Sequence, residues 1–224
     1  MVSKSSTFTN ILVSLAALSG LVLGAVLDRN RVDPTLVIVS ITVILSVIGF
    51  SNTNWLTRFY FTRGSILSGK QYYRLLTYGF IHLDFSHLLF NMLSLYSFSP
   101  LLYRTLSAHL THPALLLIFI YILAIIISTI PDLLGRGSDE YRALGASGAV
   151  LAVIAAAVVF NPNVSLNVLF IPLPIPGPLF LFLFIAVSLY LAHRGKGRVG
   201  HVVHISGAIF GLIVAFAIKF LANF

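Results

Sequence analysis

His201-Val202-Val203-His204-Ile205-Ser206-Gly207-Ala208-Ile209-Phe210-Gly211 opens an apolar run that continues to Leu221. On a helix, Gly207 and Gly211 fall on one face, and without side chains they let a second backbone approach closely. His204 lies about one turn before Gly207 on the same side, so it points at whichever helix packs on those glycines. The run meets the roughly 20 residues a spanning helix needs. The whole chain agrees with it: 224 residues, 58% apolar, 9% charged, mean hydropathy +0.99. Soluble domains carry charge on about a quarter of their residues, and disorder requires low hydrophobicity. An all-α polytopic membrane protein follows. With no cysteine, disulfides, thiolate nucleophiles and thiolate metal sites are excluded. The formal charge of +8 sits mostly between apolar runs, which suits loops facing the lipid bilayer's anionic headgroups, and no nucleic acid partner is expected.

Six further apolar runs precede this one. Asn10 to Leu27 is stopped by Asp28-Arg29-Asn30-Arg31; it is long for a signal peptide, no clear A-x-A site follows, and a transmembrane helix is expected. Pro34 to Phe50 is the second. The connection Ser51 to Phe80 interleaves Trp55, Phe59, Tyr60, Tyr72 and Tyr73 with Arg58, Arg63, Lys70 and Arg74. That mixture reads as a segment lying in the membrane interface. His82 to Tyr103 and Pro113 to Ile130, closed by Pro131, come next. Ser147 to Phe160 is short and rich in small residues, which suits the centre of a bundle. After a Pro-rich connection, 161–178, the sixth run spans Leu179 to Ala192.

Polar groups inside such runs are costly and mark either function or interhelical hydrogen bonding. His87 and Asn91 lie one turn apart on the third run, with His82 at its start. Ser147 opens the small-residue helix within Gly145-Ala146-Ser147-Gly148, where a serine also serves as an ordinary helix cap. His204 is either a packed histidine bonded to a carbonyl or a partner of Ser147. His82, His87, His201 and His204 together also suggest a metal or transport site. Against that reading, no carboxylate lies deep in a span beside them, and Glu140, the only glutamate, is in a loop. No metal or other cofactor is expected.

Taken together, G-A-S-G at 145–148, H-x-x-x-N at 87–91 and H-x-x-G-x-x-x-G at 204–211 resemble the rhomboid family of intramembrane serine proteases. The stretch from Tyr78 to Met92 is especially similar, and Tyr73-Arg74 resembles the family's Trp-Arg position with tyrosine in place of tryptophan. The resemblance covers about Pro34 to Phe224. It implies a six-helix bundle around a water-filled cavity, with the first run as an extra N-terminal transmembrane helix. The expected organisation is therefore an N-terminal segment, 1–33, and a protease core, 34–224.

The resemblance also implies roles. Ser147 would be the nucleophile and His204 the general base. Asn91, His87 and the Ser147 N–H would stabilise the oxyanion. His82, Arg74, Gly145, Gly148, Gly207 and Gly211 match supporting positions. Leu151 replaces an aromatic that often stacks on the family's catalytic histidine, so packing on His204 is expected to be looser. Substrates would be transmembrane proteins; the alternative is an inactive relative that binds transmembrane helices without cutting them.

The family's orientation opens the site to the outer side and puts Arg29, Arg31, Arg104 and Lys219 inside. The other ten of the 14 basic residues then lie outside, against the positive-inside tendency. The HLLFNM and IPLPIPGP stretches have a bacterial style, which points to the cytoplasmic membrane.

Overall fold

The computed structural model describes residues 19–20, 22–135, 139–166, 173–194 and 198–222. Six helices of 14 to 25 residues dominate it: α1 (Thr35–Ser51), α5 (Phe85–His109), α6 (Pro113–Ser128), α8 (Ser147–Phe160), α9 (Gly177–His193) and α10 (Arg198–Leu221). Between α1 and α5 lie three short helices, α2 (Thr53–Phe59), α3 (Arg63–Leu67) and α4 (Arg74–Thr77), and a 3-10 turn, Tyr78–Phe80. A further turn, α7 (Ile130–Leu134), extends α6.

α8 is the centre. Every residue from Gly148 to Val158 is buried, and α5, α6, α9 and α10 all pack on it. A helix apolar on all sides finds no favourable surface position, so it is enclosed. Its most extensive partner is α10. A Cβ on Gly207 would collide with the Gly148 carbonyl, and one on Gly211 with the Ala152 carbonyl. The two backbones therefore touch directly, as the glycine spacing predicts. At the other end of the pair, Lys219 Nζ donates to the Val159 carbonyl at 3.4 Å.

α5 begins where Asp84 accepts the His87 N–H at 2.8 Å. This cap starts the helix three residues after the His82 expected from hydropathy. The Ser99 hydroxyl donates to Thr35 Oγ1 at 2.6 Å and ties the start of α1 to the distal half of α5. α6 ends at Ser128, three residues before Pro131. Pro131 sits in the first turn of α7, where its missing N–H costs no intrahelical bond. Of the first apolar run, residues 10–18 and 21 lie outside the described residues; residues 22–29 are helical. Their last turn carries Asp28, whose carboxylate accepts the N–H groups of Ala114 (2.7 Å) and Leu115 (3.1 Å) and caps α6.

The connection 51–80 is organised as short elements that do not span, in keeping with an interfacial segment. Its strand β1 (Phe61–Thr62) pairs antiparallel with β2 (Arg142–Ala143), in the loop leading to Ser147. Beside it, Arg63 forms an ion pair with Asp139, and the Gly64 N–H donates to the Asp139 carbonyl at 3.1 Å. A second two-residue pairing, β3 (Ser165–Leu166) with β4 (Ile175–Pro176), closes the Pro-rich connection. Among the described residues, Pro113–Leu134 and Gly200–Leu221 are 22-residue helices long and apolar enough to cross a membrane, and α1, α8 and α9 are shorter apolar helices.

Candidate active site

Ser147 is the first residue of α8, held there by the turn before it. Gly145 adopts φ +106°, a left-handed conformation that L side chains avoid. Its Cα faces the His87 ring so closely that an added Cβ would lie 2.9 Å from Nε2. The Gly145 N–H donates to the Tyr78 carbonyl at 3.0 Å, and the Ala146 N–H donates to His82 Nε2 at 3.2 Å. The serine is thus delivered by a turn whose two preceding N–H groups are both engaged.

His204 comes from α10. Its Nε2 lies 2.7 Å from Ser147 Oγ, and both side chains are half-buried. This contact follows from the glycine packing: with Gly207 on the Gly148 carbonyl, the position one turn earlier falls beside the start of α8. The alternative of a histidine bonded to a backbone carbonyl is not what the structure shows. No carboxylate touches His204 among the described residues, and no group of histidines and carboxylates there could hold a metal ion. With its proton on Nδ1, the imidazole can accept the serine hydroxyl proton.

Leu151 is buried and leaves no aromatic at its own position. The ring beside His204 is instead Phe184 of α9, with centroids 5.8 Å apart and planes tilted by 47°. Nothing in residue pattern distinguishes Phe184 from the other phenylalanines of α9.

His87 and Asn91 project from the first turns of α5. Asn91 is buried and donates Nδ2–H to the His87 carbonyl at 2.9 Å, with its second N–H unused among the described residues. The His82 and His87 rings meet edge to face at 5.0 Å. Neither His87 nor Asn91 hydrogen-bonds Ser147 directly among the described residues.

His82 is fully buried, and its Nδ1 lies 3.0 Å from Ser46 Oγ of α1, a partner that the sequence did not single out. Gly148 faces Ser128 of α6 and Val203 of α10. Arg74 is not brought to the serine. It bonds Gln71 Oε1 (2.6 Å) and the carbonyls of Thr57 (3.0 Å) and Tyr60 (2.7 Å), with its guanidinium over the Tyr60 and Tyr73 rings. Burial lowers the pKa of this guanidinium from its ordinary value, partly offset by the two tyrosines. Arg74 therefore organises the connection 51–80, which meets the loop before Ser147 at β1–β2 and at the Tyr78 carbonyl.

No curated protein sequence matches the chain. Residues 69–219 match the Rhomboid domain, a stretch that contains Arg74, His82, His87, Asn91, Gly145, Ser147, Leu151, His204, Gly207 and Gly211. That match covers most of the chain and implies a polytopic helical membrane fold, in accord with the apolar helices around α8. The chain belongs to the rhomboid family.

Proposed function

We propose that this integral membrane protein is an intramembrane serine endopeptidase. It would hydrolyse peptide bonds in or near transmembrane helices of other membrane proteins through a Ser147–His204 dyad. The observation that carries the reading is the 2.7 Å separation of Ser147 Oγ and His204 Nε2. A serine hydroxyl is a weak nucleophile until an adjacent base removes its proton, and imidazole is such a base. Ser147 Oγ attacks the scissile carbonyl carbon while His204 Nε2 takes the hydroxyl proton. The same nitrogen returns it to the leaving amine, which departs as the carbon–nitrogen bond breaks. Water then attacks the acyl-enzyme and gives a proton to His204, which passes it to Ser147 Oγ as the ester bond breaks and the new carboxyl terminus departs.

Each tetrahedral intermediate carries a negative oxygen. The Ser147 N–H, the free Asn91 N–H and His87 are assigned as its donors; losing one such donor typically costs about 10²–10³ in turnover. The dyad has no carboxylate to set the imidazole tautomer. Packing from Phe184 and the glycine face supplies orientation in its place. A substrate helix must unwind locally, because its carbonyls are otherwise hydrogen-bonded, so helix-breaking or small residues should mark the cleavage region.

The core is assigned to residues 34–224, with six spanning helices α1, α5, α6, α8, α9 and α10. Segment 1–33 supplies an additional transmembrane helix. The site opens to the outer side of a bacterial cytoplasmic membrane.

The test is cleavage of a reporter transmembrane substrate in liposomes by wild type, Ser147→Ala and His204→Ala. Loss of cleavage in both variants, with folding intact and EDTA without effect, is expected. Cleavage surviving in Ser147→Ala would overturn the nucleophile. A wild type that neither cleaves several substrates nor is labelled at Ser147 by a fluorophosphonate would favour a non-proteolytic binder of transmembrane helices.

A further inference from the structure

A cavity of about 380 Å³ lies between α1 and α5, lined by Asp33, Thr35, Leu36, Tyr96, Pro100 and Arg104 among others. It shares no residue with the candidate active site. Asp33 immediately precedes the apolar run of α1, and Arg104 immediately follows that of α5. The Thr35–Ser99 hydrogen bond holds these two ends together, so both charges stand at one polar edge of the apolar bundle. Opposite charges this close to one cavity would be expected to pair, yet no ion pair joins them.

Each is only partly satisfied among the described residues. Asp33 Oδ1 accepts the Thr35 N–H (2.8 Å) and hydroxyl (2.5 Å), and Oδ2 has no partner. Arg104 Nε donates to the Pro100 carbonyl at 3.2 Å, and its terminal nitrogens have no partner. Pro100, inside α5, has no N–H to give the Tyr96 carbonyl four residues back, and both residues line the cavity. The cavity therefore offers a cationic donor at Arg104, an anionic acceptor at Asp33 and a carbonyl released from the helix ladder. Leu36 and Tyr96 are exposed beside it, an apolar side chain and an interfacial aromatic placed as an acyl chain and its glycerol end require.

We propose that this cavity binds the headgroup of a zwitterionic phospholipid with a primary ammonium, such as phosphatidylethanolamine. The phosphate meets the Arg104 guanidinium. The ammonium donates to Asp33 Oδ2 and the Tyr96 carbonyl. A quaternary ammonium has no N–H to donate, and a glycerol headgroup brings no positive charge to Asp33. The proposal is independent of whether Ser147 reacts.

Native mass spectrometry of the detergent-solubilised full chain tests it, with matched acyl chains on phosphatidylethanolamine, phosphatidylcholine and phosphatidylglycerol. Wild type should retain phosphatidylethanolamine about tenfold better than either other lipid, the worth of one charge-assisted hydrogen bond. Asp33→Asn keeps an acceptor for Thr35 and should bring phosphatidylethanolamine down to the level of phosphatidylcholine. Arg104→Gln should lower retention of all three. Equal retention of the three lipids overturns the proposal, as does a phosphatidylethanolamine preference that survives Asp33→Asn. Phosphatidylglycerol bound best and unaffected by Asp33→Asn would mean general attraction to basic residues, and would also overturn it. Thermal unfolding of wild type gives a variant-free check: phosphatidylethanolamine should raise the midpoint more than phosphatidylcholine, and equal shifts count against the site.

Discussion

Ser46, in the middle of α1, and Ala146, immediately before the candidate nucleophile, are joined through one imidazole. The Ala146 N–H donates to His82 Nε2, so that nitrogen carries no proton and Nδ1 does. Nδ1–H then donates to Ser46 Oγ, whose hydroxyl donates to the Phe80 carbonyl at 3.3 Å. The relay fixes the peptide leading into Ser147. Ser46→Ala leaves a buried donor unsatisfied, a loss of about 1–3 kcal/mol. Turnover on a reporter substrate should fall on the order of tenfold with little change in KM, and Ser46→Thr should restore it. Unchanged kcat in Ser46→Ala would remove this role.

The α8–α10 contact makes a sharper stability prediction. Gly207→Ala forces a methyl against the Gly148 carbonyl, and overpacking of this kind costs about 1–3 kcal/mol. Thermal unfolding in detergent should show a clear drop in midpoint. Gly200→Ala, where nothing lies within 4 Å of the added carbon, is the control and should leave the midpoint unchanged or slightly raised.

Phe184 stands in for the aromatic missing at Leu151, although it comes from a different helix. Removing it loosens the imidazole without touching a reacting atom. A ring contact worth about 0.5–1.5 kcal/mol corresponds to up to about tenfold in rate. Phe184→Ala should slow both turnover and fluorophosphonate labelling of Ser147, and Phe184→Tyr should recover most of the loss. Wild-type labelling rates in Phe184→Ala would show that the ring does not orient His204.

Acidification should act at the start of α5. The Ser86 hydroxyl and the His87 N–H both donate to Asp84 and hold its carboxyl below its ordinary pKa. Folding therefore gains from this group at neutral pH, and the gain is lost as pH falls through the lowered value. Asp84→Asn retains a cap but does not titrate. Its unfolding midpoint should fall less than that of wild type between about pH 6 and about pH 3. Parallel decreases in the two proteins would exclude the cap as a source of acid sensitivity.

Much of the scaffold could be read from residue pattern. The bounds of α8 match the small-residue run from Ser147 to Phe160, because a run without polar interruption has only one way to be buried. The approach of His204 to Ser147 followed from two glycines on one helix face and a helix small enough to receive them. Other features had no such signature. β1 and β2 are two residues each, too short for any periodicity. Ser46 looks like any hydroxyl within an apolar helix until His82 is placed against it. Pro131 was legible as a helix breaker, yet a proline in a first turn opens a helix as readily as another position ends one. The pairing of Asp33 and Arg104 around one cavity joins residues 71 positions apart, a distance no local pattern spans.

The length of α8 sets a depth. Fourteen helical residues rise about 21 Å, against a hydrocarbon core of about 30 Å. The Phe160 end lies at the level of Lys219, an ammonium that belongs at the polar boundary, so the shortfall falls at the other end. With α8 as one of the proposed spanning helices, Ser147 would stand several ångströms beneath the opposite headgroups, and the chain before it is made of turns and short helices rather than another helical turn. The helix works as a ruler: each residue added before Ser147 would carry the serine inward or push its covering loop outward by about 1.5 Å. Under the proposed protease activity, the place where a bond is cut would be measured from the far side of the membrane.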